Sequence, residues 1–425
     1  MFRRLQHFVS AFSLAIVILL VAAADSAAQS TWVLTTADFR SERVTLQSID
    51  ATGALVSTPT GDQKRRIELD HLLMLDRADK PASTPAKFVV VLSDNDRVAG
   101  QSKAIVGENL QWTSPLLGEM TLPLKSVVCI TRANGQPTSA PAQGGPQTED
   151  VVTLLNGDTV RGIISGITEA AVSVQPTGGA GGEATSVPFD SVSRITFATT
   201  ATSAPAMVHG FRVGLSDGSG VIATSIQLAD QRVTLNLPDG TVRSLSQAAL
   251  FSVEHVNGPV VWLSSLPPTE SVQTPFLDLS WPAKTDRAVD GELIRFGDRT
   301  FARGIGVHSY SRLTWNLDPS FKVFRTQYAI SGDRPYANVA VRIKLDGQVV
   351  HEQNDFRAGT LSPPVMIELS GEARQLTLEV DYGQNYDVQD RFNWIEPALL
   401  RFRPETPAPP TTTSSPATTL PASNP

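Results

Sequence analysis

A chain of 425 residues, 41% of them hydrophobic, is long enough for several domains with cores of their own. Its formal net charge of −7 argues against a nucleic-acid partner. The single cysteine, Cys129, excludes an intramolecular disulfide and a cysteine metal cluster, and its run Val127-Val128-Cys129-Ile130 predicts a buried, inert thiol.

At the start, Arg3 and Arg4 precede an apolar run from Phe8 to Ala24, and Ser26-x-Ala28 suits signal-peptidase cleavage. Residues 1–28 therefore read as a signal peptide; the other reading is an uncleaved anchor, for which the run is short. Cleavage would remove Arg3, Arg4 and Asp25 and move the net charge from −7 to −8. The expected location is outside the cytoplasmic membrane: periplasmic, cell-surface or secreted.

Residues 32–256 contain a weak internal repeat of about 45 residues. Its copies span 32–77, 88–132, 150–198 and 211–256. The third is clearest: Val151–Leu155, the turn Asn156-Gly157-Asp158, Val160–Ile164, Val172–Val174, Val187-Pro188-Phe189 and Val192–Phe197. Matching turns are Asp94-Asn95-Asp96 in the second copy and Asp217-Gly218-Ser219-Gly220 in the fourth. Short alternating strands around such turns predict hairpins and small antiparallel modules. Five strands per copy resembles a small SH3-like or Sm-like barrel, a likeness resting on strand order and one turn motif.

Pro-, Ser-, Thr- and Gly-rich connectors separate the copies: Lys80–Ala86, Ala133–Gln147, Thr199–Ala206 and Ser264–Thr274. They read either as flexible links or as long loops between docked modules. His71, His209 and His255 lack a carboxylate or second His at metal-ligand spacing. There is no phosphate-binding loop, Gly-x-Ser-x-Gly elbow or His-Glu-x-x-His. The repeats therefore read as scaffold, and the protein as a non-enzyme.

From about residue 275 to 402 the strands lengthen. Phe324, Thr326, Tyr328 and Ile330 share one face, as do Val339, Val341, Ile343 and Leu345; Asp346-Gly347 then turns the chain into Val349-Val350. This pattern predicts a jelly-roll β-sandwich. The fold class is thus all-β, with tandem small β-barrel-like repeats followed by a C-terminal jelly roll. Residues 403–425 are a Pro-, Thr- and Ser-rich tail, expected to be disordered.

Within this module stands Phe301-Ala302-Arg303-Gly304-Ile305-Gly306-Val307-His308-Ser309, followed by Leu313-x-Trp315-x-Leu317. Farther on come Ala329-Ile330-Ser331-Gly332-Asp333, Val365-x-Ile367-x-Leu369-Ser370-Gly371 and Asp390-Arg391-Phe392-Asn393-Trp394. In this order the motifs resemble the NPCBM family, carbohydrate-binding modules attached to glycoside hydrolases and other exported proteins. The resemblance implies a galactose-binding-like jelly roll and a sugar ligand of galactose-like type. The family often has Asp-His where this chain has Asp390-Arg391.

Sugar recognition needs aromatic faces for the C–H side of a pyranose and planar polar groups for its hydroxyls. The candidates are Asp333, Arg334 and Tyr336 in one loop and Asn385, Tyr386, Asp387, Asp390, Arg391, Asn393 and Trp394 in another, with His308. Trp315 is expected in the core. His308 is read either as a ligand contact or as bonded within the fold near Trp394, and Trp394 as either sugar platform or core plug. No cofactor is expected; Asp381, Asp387 and Asp390 have the chemistry for a structural Ca²⁺ but not EF-hand spacing. The leading expectation is an exported, non-catalytic carbohydrate-binding protein. The competing one is an envelope scaffold that binds protein partners and no sugar.

Overall fold

The computed structural model describes residues 30–59, 61, 63–79, 86–133, 148–177, 183–198, 209–276 and 279–404. The segment read as a signal peptide, most of the connectors between repeats and the tail beyond residue 404 lie outside the described residues. The regular elements of the described residues are strands, and the helices are single 3₁₀ turns.

Each of the first three repeats has the same order: four strands, a 3₁₀ turn and a last strand. In the first these are Thr31–Thr36, Ser41–Asp50, Gly53–Ser57, Lys64–Glu68, the turn Leu69–His71 and Leu72–Arg77. The second strand bends through a bulge onto the third in each, at Leu46/Ser48, Ser102/Ala104 and Ile164/Gly166. The fourth repeat splits that bent strand into Gly220–Ala223 and Ser225–Ala229. The polar turn residues serve their own backbone: Asp94, Asn156 and Asp217 each accept the N–H two residues on, at 3.0, 3.1 and 2.9 Å.

The repeats pair through their last strands. Leu75 of the first lies opposite Val253 of the fourth, and Ile130 of the second opposite Ile195 of the third. Asp96, in the turn of the second repeat, accepts the Ile222 N–H of the fourth at 3.0 Å. One hydrophobic cluster consequently runs through all four, from Trp32 through Trp112 and Ile195 to Val253. Cys129 is buried in a separate small cluster with Val89, Val91 and Ala99, and burial pushes its thiol pKa up.

The sandwich begins earlier than residue 275. Val260–Trp262 pairs with Arg391–Leu400, and Glu270–Gln273 with Ser311–Asn316, so residues 259–274, read from their Ser and Pro content as partly connector, supply a strand to each sheet. One sheet contains Lys284–Thr285, Gly304–His308, Arg391–Leu400, Val323–Ile330 and Val365–Glu368 in that spatial order. The other runs Glu270–Gln273, Ser311–Asn316, Gln375–Tyr382, Asn338–Leu345 and Gln348–Arg357. Between them pack Trp315, Phe324, Tyr328, Phe356, Phe392 and Trp394. Gly306 answers to close packing rather than to unusual backbone angles: a Cβ there would lie 2.4 Å from the Val289 nitrogen.

The sandwich rests on the first and fourth repeats. Ala37 and Leu73 share a cluster with Val260, Trp262, Val323 and Leu400, and the Arg325 guanidinium sits 3.8 Å from the Phe39 ring centroid. Glu254 of the fourth repeat accepts from Trp262 Nε1 at 2.9 Å and pairs with Arg303, which also holds Asp286 at 3.0 Å.

Candidate functional site at one rim of the sandwich

Strand register decides which loops meet. His308 lies opposite Arg391, Ile330 opposite Phe392, Val339 opposite Tyr382 and Ser311 opposite Val380. The connections 309–310, 331–337 and 383–390 therefore open at one end of the sandwich. Both candidate loops, separate in sequence, belong to this rim.

Hydrogen bonds tie them together. The Tyr336 N–H donates to Gln389 Oε1 at 3.3 Å, and Asn385 Nδ2 donates to the Tyr336 carbonyl at 2.9 Å. The Gln384 N–H donates to Asn338 Oδ1 at 2.6 Å. Only glycine fits at 383, since a Cβ would stand 1.8 Å from that same Oδ1. Beneath them Asp390, fully buried, accepts from the Ser309 hydroxyl at 2.5 Å and the Asn338 N–H at 3.1 Å. Burial, with Asp387 nearby, pushes its carboxyl up to about 7.

Of the three aromatic candidates, Tyr336 and Tyr386 are exposed at this rim and Trp394 is not. Trp394 is 0% exposed, packed edge-on against Tyr328 and Phe392, and is a core residue rather than a sugar platform. Asn393 and Asp390 are likewise interior, because they lie on or beside a central strand flanked on both sides. Asn393 Nδ2 donates to the Ser331 hydroxyl at 2.6 Å. The exposed rings are Tyr336 at 61%, Tyr386 at 58% and Phe276 at 49%. Phe276 lies 4.6 Å from Tyr386, centroid to centroid. Asp333 is exposed beside them, and Arg334, Asn385 and Asp387 are half-buried.

His308 stacks on Trp281 rather than reaching Trp394, with centroids 5.4 Å apart and planes 13° from parallel. Burial lowers its pKa below the ordinary imidazole value. The Arg391 guanidinium lies 5.4 Å from the Trp281 ring centroid and pairs with Asp290 at 2.7 Å. Phe276, Trp281, Asp290 and Gln389 escaped the sequence reading. The available signal was two aromatics in a Pro- and Ser-containing stretch without strand alternation, Pro275-Phe276 and Ser280-Trp281-Pro282.

The Ca²⁺ suggestion finds no support in this geometry. Asp381 is held by Arg342 at 3.0 Å and Asp390 by Ser309 and Asn338; among the described residues no group of three or more His, Cys, Asp or Glu is arranged to hold a metal.

Residues 259–400 match the NPCBM/NEW2 domain family, and those bounds take in both strands ahead of residue 275. The sandwich is an NPCBM/NEW2 domain. None of the curated proteins compared with the chain matches it. Among solved structures, the chain resembles CBM51-2 with INT domains from Clostridium perfringens ZmpB, in complex with GlcNAc, at 21% identity and a TM-score of 0.31. That likeness covers 43% of this chain and 41% of the other, so the chain spans less than half of it. It also resembles CBM51 from Clostridium perfringens GH95 in complex with methyl-galactose, at 20% identity and a TM-score of 0.29, covering 33% of this chain and 99% of that one. TM-scores this low support nothing about the ligand of the NPCBM domain.

Proposed function

We propose that the protein is an exported, non-catalytic glycan-binding protein. Its NPCBM domain takes a sugar at the rim that carries Phe276, Tyr336 and Tyr386, and the four repeats hold that domain as a scaffold. Three large exposed rings beside half-buried polar groups are the observation that carries this reading. An aromatic face covers the apolar side of a pyranose, while Asp333, Arg334, Asn385 and Asp387 accept from and donate to its hydroxyls. The loops are tied before ligand arrives, so little ordering entropy opposes binding.

The family match supports glycan as the ligand class, and galactose-like sugars are the first to test. The full chain is titrated calorimetrically with methyl-galactoside and with GlcNAc, then applied to a glycan array. Saturable binding with a dissociation constant of about 0.1–1 mM is expected for a shallow, open site of this kind. Absence of binding to every glycan on the array would overturn the reading.

A further inference from the structure

A second cleft, of about 890 Å³, lies where the sandwich meets the repeat body. It opens at the residues following Leu400, whereas the rim opens at the residues preceding Arg391. The strand between them has ten residues, which separates the two sites by about 30 Å. The walls come from the turn after the first strand, the 3₁₀ turn Leu69–His71, His209, the connection 257–259 and residues 401–404. A space of this size takes roughly two to three sugar rings.

On a chain of net charge −7 the lining gathers three arginines, Arg40, Arg401 and Arg403, with Asp38 and Asp70. The pairs Arg40–Asp38 and Arg403–Glu368, at 3.0 and 2.8 Å, are both largely exposed, and such pairs contribute little and exchange partners readily. Arg401 is held differently. It donates to the Ser320 hydroxyl, lies 4.6 Å over the Phe321 ring, which fixes its plane, and has the Asp318 carboxylate near enough that its charge adds to the Ser320 hydrogen bonds in lowering that carboxyl's pKa. A planar guanidinium held this way suits a carboxylate or sulfate.

The opposite wall is also built. Gly258 leaves room for the His255 ring, whose atoms would lie 2.6–2.7 Å from a Cβ there. His255 Nδ1 donates to the Leu69 carbonyl at 3.0 Å, which holds the ring behind this wall. His209 packs edge-on against that ring from the cleft, and Phe402 adds an apolar surface.

We infer that this cleft is a second binding site, for an anionic saccharide whose acidic group seats on Arg401. The saccharide part of this inference rests on the glycan-binding reading, and the test separates the two. The full chain is titrated with galacturonic acid trimer, a sulfated galactotriose and neutral galactotriose, as wild type, Arg401→Ala, Arg401→Lys, His209→Ala and Tyr386→Ala. An acidic trimer is expected to bind more tightly than the neutral one, about tenfold more weakly in Arg401→Ala, with partial recovery in Arg401→Lys and no change in Tyr386→Ala. His209→Ala, on an exposed residue, is expected to weaken the acidic trimer several-fold. Raising salt from about 50 to about 500 mM is expected to weaken it too. Whether carboxylate or sulfate binds better identifies the ligand's source.

Equal binding of acidic and neutral trimers would overturn the cleft site. So would wild-type affinity for the acidic trimers in both Arg401→Ala and His209→Ala when their melting temperatures are unchanged. Loss of neutral binding alone, or its indifference to Tyr386→Ala, sinks the rim reading and leaves the cleft standing.

Discussion

Tyr386 and Phe276 lie 4.6 Å apart at the rim, one from the last loop of the sandwich and the other from the connection that follows the strand Glu270–Gln273. Each is about half exposed, so their contact forms a surface rather than a core. Tyr386→Ala and Phe276→Ala are each expected to weaken glycan binding about five- to tenfold while moving stability by less than about 1 kcal/mol. Calorimetric titration beside thermal unfolding checks both halves of the statement.

Trp394→Ala makes the contrasting case. The side chain is fully buried among Tyr328, Phe392 and the rest of the sandwich core, so truncation leaves a large cavity. A loss of about 3–5 kcal/mol is expected in denaturant unfolding. If Trp394→Ala kept wild-type stability and lost only sugar binding, the assignment of this ring to the core would be wrong.

Stability should fall as pH rises from about 4 to about 7. Asp96 and Asp390 are each pushed up to about 7 by burial, above the ordinary carboxylate value of 3.8, so the folded state holds protons that the unfolded chain has released. Asp94 adds to the first and Asp387 to the second. A raised folded pKa contributes stability that is complete below 3.8 and lost as pH passes through 7. Urea midpoints measured across this window are expected to decline, and the Asp96→Asn and Asp390→Asn variants to decline less steeply. A flat wild-type profile would contradict the assignment.

Arg303 is the charged link between the sandwich and the fourth repeat. Removing it leaves Glu254 mostly buried beside Asp76, whose carboxyl is already raised to about 6 by burial and by Glu254. Arg303→Ala is expected to cost about 2–3 kcal/mol and to speed proteolysis between the two units. Arg303→Lys should recover part of the loss, because it keeps a charge but not the fork that reaches both Glu254 and Asp286.

Much of the strand pattern was legible in the residues. Val339, Val341 and Ile343 share one face and are buried together, with Asn338, Arg342 and Lys344 on the other, and Asp346-Gly347 turns the hairpin between Asn338–Leu345 and Gln348–Arg357 as its composition predicts. The candidate loop 333–336 was legible from its polar and aromatic content; of the candidate stretch Asn385–Trp394 only residues 385–390 are loop, and Arg391–Trp394 open the last strand. Exposure was not legible. Trp394 and Trp281 are the same residue type in polar surroundings of sequence, yet one is sealed between two sheets and the other lies half-buried against His308.

The sequence by itself determined the all-β character, the repeat and the family of the C-terminal module. These rest on local alternation, turn chemistry and ordered motifs, which are properties of neighbouring residues. Tertiary structure decided that the sandwich starts near residue 259, that the repeats share one core through their last strands, and that Phe276 joins Tyr386 at the rim. Each of these depends on register between strands far apart in the chain. A one-residue slip reverses which face a side chain occupies, and no local pattern records that choice.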